Sequence, residues 1–87
     1  MKRFEELFEE LRIKTASGDA RSHTAVLVEK GPHEIGKKLV EEAAETWMAA
    51  CHESREKTAE ELSQLLYHAQ AMMLACGLSL EDVYRYL

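Results

Sequence analysis

Three glutamates and two lysines lie close together in a segment with helical periodicity, Lys37–Glu45. At about 100° per residue, the three glutamates fall on one side of the predicted helix, within an arc of about 100°. Lys38 falls inside the same arc, and the glutamates are Glu41, Glu42 and Glu45. Like charges at this spacing repel one another. A bound divalent cation would reverse that cost, because Mg2+ takes hard oxygen ligands. The segment is therefore a candidate metal site.

The same helix also has an apolar side, which leaves a second interpretation open. An apolar residue recurs at every fourth position, at Ile35, Leu39, Ala43, Trp47 and Cys51. An ordinary amphipathic helix carries its charges opposite such a stripe. Periodicity alone therefore does not separate a solvated acidic face from a metal site.

A second group of polar residues follows on the next predicted helix. Glu61, Gln64 and His68 form a narrow polar seam at helical spacing. This seam borders an apolar stripe of Leu62, Leu65, Ala69, Met72 and Cys76. A half-buried carboxylate needs a partner, and acids facing each other from two helices of a bundle are typical of carboxylate metal sites. Two alternatives stay open: His68 as a hydrogen-bonded core histidine, and Glu60 as a solvated surface residue.

Helical patterns and helix-end signals cover most of the chain, and strand-like alternation is almost absent, so the fold class is all-α. We predict two long helices and three short ones, at residues 3–14, 24–29, 32–52, 55–76 and 79–87. Gly31-Pro32 marks the start of the third helix, and Ser54 caps the fourth. Gly77 closes the fourth helix. The remaining signals are a capping box at Ser79 and Asp82 and a helix cap at Thr24.

Bulk composition favours one domain over residues 1–87 and excludes several function classes. The net charge is −5, from 16 acidic and 11 basic residues, which argues against a nucleic-acid partner. No apolar run approaches the roughly 20 residues that span a membrane, and no secretory signal follows the first residues. We interpret Cys51 and Cys76 as small buried hydrophobes of a reduced, cytoplasmic protein.

The second long helix is too apolar for a monomer of this size. From Leu65 to Cys76, only His68 and Gln70 are distinctly polar. A helix that is apolar nearly all round must be buried on nearly all sides. We therefore predict a homodimer in which the two long helices of both chains form a four-helix core.

Two motifs together resemble the phosphoribosyl-ATP pyrophosphohydrolases, which belong to the all-α, MazG-like nucleoside triphosphate pyrophosphatases. The motifs are Lys-Lys-Leu-Val-Glu-Glu-Ala-Ala-Glu at 37–45 and Glu-Leu-Ser-Gln-Leu-Leu-Tyr-His at 61–68. Ser22-His23-Thr24 and the ending Gly-Leu-Ser-Leu-Glu-Asp-Val at 77–83 extend the resemblance over most of the chain. The resemblance implies hydrolysis of phosphoribosyl-ATP to phosphoribosyl-AMP and pyrophosphate in histidine biosynthesis.

The resemblance also implies roles for individual residues. Mg2+ would be held by Glu42, Glu45 and Glu61, while Glu41 would be a further ligand or would orient the attacking water. Lys37 and Lys38 would face the substrate phosphates, and His68 would line the substrate site or support a ligand. The chain departs from the family pattern at Val40, where glycine is common, and at Gln64, where aspartate is usual. Gln64 could supply a carbonyl oxygen to the metal or bind substrate.

Two other functions compete with this interpretation. A housekeeping pyrophosphatase acting on ordinary or damaged nucleoside triphosphates would use the same acids, and a substrate panel would distinguish it. A non-enzymatic helical dimer would carry the acids without a bound metal, and Mg2+ would not change its melting temperature.

Overall fold

Five helices and no strand make up the computed structural model, which describes all 87 residues. They are α1 (Phe4–Ser17), α2 (His23–Lys30), α3 (Pro32–His52), α4 (Arg55–Ala75) and α5 (Leu80–Tyr84). The all-α prediction is confirmed, and α3 begins and ends at the predicted residues. None of the helices is both long enough and apolar enough to cross a membrane.

Local hydrogen bonds explain where α4 begins and ends and where α5 begins. The Ser54 hydroxyl accepts from the Lys57 amide at 3.0 Å, which satisfies a free N–H of the first turn of α4. Gly77 has φ +70°, and the Leu78 amide donates to the Met73 carbonyl at 2.8 Å, as in a Schellman motif. The predicted capping box of α5 is also present.

Thr24 does not cap α2, contrary to the prediction. Ser22 is the N-cap, and its hydroxyl accepts from the Ala25 amide at 3.2 Å. Thr24 is instead buried, and its hydroxyl shares a hydrogen bond of 2.7 Å with the hydroxyl of Tyr67. The reason is an offset of two residues from the N-cap, because Thr24 lies inside the first turn of α2 and its side chain points inward. Ser22 therefore caps the start of α2, and Thr24 connects α2 to α4 through its hydrogen bond with Tyr67.

The two long helices form a hairpin, and they contact each other more extensively than any other pair of helices. Only Glu53 and Ser54 separate α3 from α4, and so short a connection favours antiparallel neighbours. Helices α1 and α2 pack on this hairpin. The core is a small cluster of Leu27, Ile35 and Ala71.

The side of α3 that faces α4 differs from the predicted apolar stripe. Ile35 and Ala49 are buried, but Trp47 is 70% exposed and Cys51 is exposed. Steps of four residues rotate by about 40° each, so a stripe of period four drifts around the helix. Steps of seven keep the direction within about 20°, and they lead from Ile35 through Glu42 to Ala49.

Both cysteines are exposed in the single chain, so the prediction that they are buried is wrong for the single chain. On α4 the predicted stripe is half-buried in its middle but exposed at its ends, Leu62 and Cys76, while Glu61 and His68 of the polar seam are buried. Only 11 of 87 residues are buried. Five large apolar side chains of α3 and α4 are left exposed, and we call them together the apolar face: Val40, Trp47, Met48, Leu62 and Leu66.

Candidate active site

Three carboxylates converge where α3 faces the first half of α4. Glu42 and Glu45 come from α3 and Glu61 from α4, and one ligand atom of each lies within 4.8 Å of the others. We call these three residues the carboxylate cluster. Glu42 belongs to the side of α3 that packs on α4, and Glu45 follows it by one helical turn. The packing of the hairpin therefore brings together acids that are 16 and 19 residues apart in the sequence.

Two oxygens of the carboxylate cluster are buried without a hydrogen-bond donor. They are Oε2 of Glu42 and Oε2 of Glu61, and Glu61 as a whole is only 8% exposed. A buried carboxylate oxygen without a partner is costly, and it calls for an explanation such as a bound ion. Closely spaced carboxylate oxygens are the ligand set that Mg2+ takes. The residues present therefore fit a divalent cation.

Mutual repulsion perturbs the titration of the carboxylate cluster. The hydrogen bond that Glu45 makes with Glu61 when protonated, together with the charges of Glu42 and Glu61, raises the pKa of Glu45 to about 7. The same hydrogen bond from Glu45 lowers the pKa of Glu61. Two acids with pKa values pushed apart in this way share one proton. A metal ion would take the place of that proton.

A lysine that the sequence analysis did not single out lies beside the carboxylate cluster. The Nζ of Lys57 is 3.4 Å from Oε1 of Glu61 and 3.5 Å from Oε1 of Glu60. Its hydrogen bond with Glu61 raises the pKa of Lys57. The i, i+4 spacing of Lys57 and Glu61 was a signal in the sequence, but such pairs are common on helices and do not by themselves mark a site.

A cleft of about 500 Å³ opens next to these groups. Its walls are Ala44, Glu45, Met48, Glu53, Lys57 and Glu61. This volume lies within the range of ligand pockets, about 300–1,000 Å³. The carboxylate cluster thus borders a cavity large enough for part of a nucleotide, with its acids on one side and a single lysine among its walls.

The other candidate residues lie outside the carboxylate cluster. Glu41 is exposed and pairs with Lys38 at 3.6 Å, because one residue rotates the side chain by about 100° from Glu42. Lys37 pairs with Glu34 at 3.2 Å. The functional roles of Glu41, Lys37 and Lys38 therefore stay predictions.

Gln64 and His68 also lie outside the carboxylate cluster. Gln64 is exposed. His68 is buried, with Nδ1 at 2.8 Å from the backbone carbonyl of Gln64. This contact suits a hydrogen-bonded core histidine, the alternative that the sequence left open.

Comparison with known proteins gives matches over the whole chain. The family model for phosphoribosyl-ATP pyrophosphohydrolase matches residues 1–87. A phosphoribosyl-ATP pyrophosphatase of Streptomyces coelicolor is 64% identical over 87 residues, covering 99% of this chain and 97% of that protein. The phosphoribosyl-ATP pyrophosphatase of Salinibacter ruber is 60% identical, with both chains covered completely. That of Streptomyces avermitilis is 63% identical, with 99% of this chain and 97% of that protein covered.

Proposed function

This chain belongs to the phosphoribosyl-ATP pyrophosphohydrolase family, and we propose that it catalyses the Mg2+-dependent step from phosphoribosyl-ATP to phosphoribosyl-AMP and pyrophosphate. It is an enzyme, a phosphoribosyl-ATP diphosphatase that hydrolyses a phosphoric anhydride. The family places this reaction in histidine biosynthesis. Binding of the ATP moiety and a cytoplasmic location are part of the same proposal.

The observation that carries the proposal is the pair of buried, unpartnered oxygens in the carboxylate cluster, on Glu42 and Glu61. A helix that used its acids only for solubility would leave them in water. Here the packing of α3 on α4 removes two oxygens from water without supplying a donor. A bound cation compensates this cost, and the convergence of ligand atoms from three carboxylates within 4.8 Å supports a cation at this position.

The chain's own residues would hold the metal and orient the reactants. Glu42, Glu45 and Glu61 would hold Mg2+, which when bound would neutralise charge on the phosphoryl oxygens between the α- and β-phosphates. Glu41 is proposed to orient the attacking water or to act as a further ligand. No Ser-His-Asp or Cys-His set competes for the role of nucleophile.

Substrate contacts are proposed for four further residues. Lys37 and Lys38 would offset the charge of the triphosphate. Each would first have to leave its glutamate partner, and this costs little because both ion pairs are exposed to solvent. Gln64 is exposed on α4 and can supply a carbonyl oxygen or an amide. His68 is buried on α4 and would support the residues that line the substrate site.

We also propose that the functional unit is a homodimer joined through the apolar face. Trp47 and Val40 are 70% and 71% exposed on the isolated chain. Residues of this kind at the centre of a surface are typical of an interface. A second copy would complete a four-helix core from α3 and α4 of both chains. No nucleic acid or membrane is required as a partner.

The test of the proposed function is pyrophosphate release by the purified protein with Mg2+, on phosphoribosyl-ATP in parallel with ATP. Release from phosphoribosyl-ATP alone supports the proposal. Comparable release from both substrates would instead identify a broader nucleoside triphosphate pyrophosphatase. Release from neither would overturn the proposal and favour a non-enzymatic helical dimer.

A further inference from the structure

Lys57 is the only basic residue among the walls of the cleft beside the carboxylate cluster. Its Nζ contacts Oε1 of Glu61, while Oε2 of the same carboxylate is buried and unpartnered. The lysine side chain is 42% exposed, whereas that of Glu61 is 10% exposed. The ammonium group therefore lies at the boundary between solvent and the buried acids.

The two lysines of the Lys-Lys motif are not placed in this way. Lys37 and Lys38, like Lys57, pair with glutamates of their own helix, but the side chains of their partners are 48% and 56% exposed. The side chain of Glu61, the partner of Lys57, is only 10% exposed. Neither lines the cleft that Glu45 and Glu61 border. A phosphate group bound in this cleft would therefore have Lys57 as the cationic side chain among its walls.

We propose that Lys57 is a built-in counter-ion that couples metal binding to phosphate binding at this site. Without metal, its positive charge offsets part of the repulsion in the carboxylate cluster and also repels an incoming cation. When metal and a phosphate group are both present, the metal neutralises the carboxylates and the ammonium group binds a phosphoryl oxygen. Lysine suits this exchange, because it carries a compact charge on a flexible stem.

This inference rests on the Mg2+ site of the proposed function and adds a property to it. Mg2+ alone should bind weakly, since its arrival must overcome the charge of Lys57. Mg2+ together with a polyphosphate should bind tightly, since every charge then has a partner. The metal site would thus fill mainly when substrate is bound.

The experiment compares the wild-type protein with Lys57→Met by isothermal titration calorimetry. The first titrant is MgCl2, and the second is inorganic pyrophosphate at saturating Mg2+. The matched control is Lys14→Met, because Lys14 forms a similar i, i+4 pair with Glu10 at 3.6 Å on α1 and does not line the cleft. Lys57→Arg keeps the charge and should restore most of the wild-type behaviour.

Removal of the charge should move the two affinities in opposite directions. Mg2+ alone should bind Lys57→Met about fivefold more tightly, as expected for the loss of a repelling charge near a solvent-accessible site. Pyrophosphate in the presence of Mg2+ should bind about tenfold more weakly, because a charge-assisted hydrogen bond is lost. The melting temperature of the metal-free variant should fall below that of the wild type.

Other results would overturn the role of Lys57. Unchanged affinities in Lys57→Met would show that the lysine is an ordinary surface ion pair. Weaker binding of Mg2+ alone would show that Lys57 orients Glu61 as a ligand instead of competing with the metal. If the wild type binds Mg2+ neither alone nor together with pyrophosphate, the metal site of the proposed function fails and the coupling fails with it. If the wild type binds Mg2+ normally and the variant is unchanged, only the role of Lys57 fails.

Discussion

At the scale of single residues, one rotation of about 100° distinguishes two adjacent glutamates. Glu42 turns towards α4 and has a buried oxygen. Glu41 turns towards solvent and pairs with Lys38. The two glutamates therefore have the same side chain but different surroundings in the folded chain, and we expect their substitutions to affect Mg2+ binding differently.

Glu42→Gln should weaken Mg2+ binding by roughly 100-fold, because it removes a charged ligand from the carboxylate cluster. Turnover of phosphoribosyl-ATP should fall at least as far, with the fold intact. Glu41→Gln should lose much less Mg2+ affinity, because the Glu41 carboxylate lies outside the cluster. Calorimetry with MgCl2 and the rise in melting temperature that Mg2+ causes both report this difference.

The control for this comparison is Glu29→Gln, since Glu29 is an exposed glutamate of α2. It should bind Mg2+ and turn over substrate as the wild type does. Full activity in Glu42→Gln would contradict the assignment of the carboxylate cluster as the metal site. Equal losses in Glu41→Gln and Glu42→Gln would show that Glu41 joins the site in the metal-bound protein.

The raised pKa of Glu45 predicts how pH changes the stability of the metal-free protein. Its ordinary value is 4.5, and in the folded chain it is about 7. Between these values the folded state holds a proton that the unfolded state has lost. The protonated Glu45 therefore contributes its full stabilisation of the folded state below pH 4.5. This stabilisation is lost as the pH rises through about 7, the pKa of Glu45 in the folded chain.

Glu45→Gln removes this loss. After removal of metal with a chelator, the variant should melt above the wild type at about pH 8, and its melting temperature should change less between about pH 5 and pH 8. Thermal denaturation at a fixed protein concentration measures both effects. A variant that melts at or below the wild type at about pH 8 would contradict the raised pKa. The same variant should bind Mg2+ poorly, so that stability and function change in opposite directions.

At the scale of the helices, replacement of glycine by alanine should have opposite effects on stability at two positions, Gly77 and Gly36. Gly77 ends α4 with φ +70°, so Gly77→Ala should destabilise the protein by about 1 kcal/mol. Gly36 lies inside α3, where an added Cβ would lie 3.9 Å from Cε of Met72, an ordinary contact. Gly36→Ala should therefore stabilise the protein by about 0.5–1 kcal/mol.

Urea denaturation of both variants at one protein concentration measures these changes. Each variant serves as the control for the other, since both add one methyl group to α3 or to the end of α4. Stabilisation by Gly77→Ala, or destabilisation by Gly36→Ala, would show that the helix ends or the α3–α4 contact differ from those described.

The ends of the helices follow from the sequence because the chemistry that sets them is local. Pro32, Ser54 and Gly77 act within one turn of their own position. The direction in which a helix faces is not local. A period of four in α3 fits the sequence as well as the true repeat of seven, and only the packing of α4 shows that Glu42 is on the buried side.

For the candidate site too, the sequence identified residues that carry a motif but missed one that depends on helix packing. Family motifs single out four acids, Glu41, Glu42, Glu45 and Glu61, and the structure brings the last three together while Glu41 lies outside. Lys57 was not identified, because an i, i+4 pair with a glutamate is ordinary on a helix surface. Its proximity to the cleft depends on how α3 and α4 pack, which no local pattern reports.

At the scale of the whole molecule, the exposed apolar face predicts the oligomeric state. A chain of this length is marginally stable alone, and only 11 of its residues are buried. The wild type should therefore sediment as a dimer at micromolar concentration, with a melting temperature that rises with protein concentration.

Trp47→Glu should raise the dissociation constant of the dimer by about 30-fold or more, because tryptophans at the centre of an interface contribute strongly to binding. Ile13→Glu is the matched control, since Ile13 is 55% exposed but lies on α1, away from the apolar face. Sedimentation velocity of both variants across a dilution series measures the change. A monomeric wild type would contradict the dimer, and a dimeric Trp47→Glu would assign the interface to another surface.

The dimer should also matter for catalysis, because the apolar face and the cleft share one residue. Met48 lines the cleft beside Glu45 and is 51% exposed on the isolated chain. Loss of the partner would open this wall of the cleft to water, which weakens the electrostatic interactions of the carboxylate cluster. Specific activity should therefore fall on dilution in step with the dimer fraction, and Trp47→Glu should show the loss at concentrations where Ile13→Glu is fully active. Activity that is independent of dilution across the dissociation of the dimer would show that each chain carries a complete site.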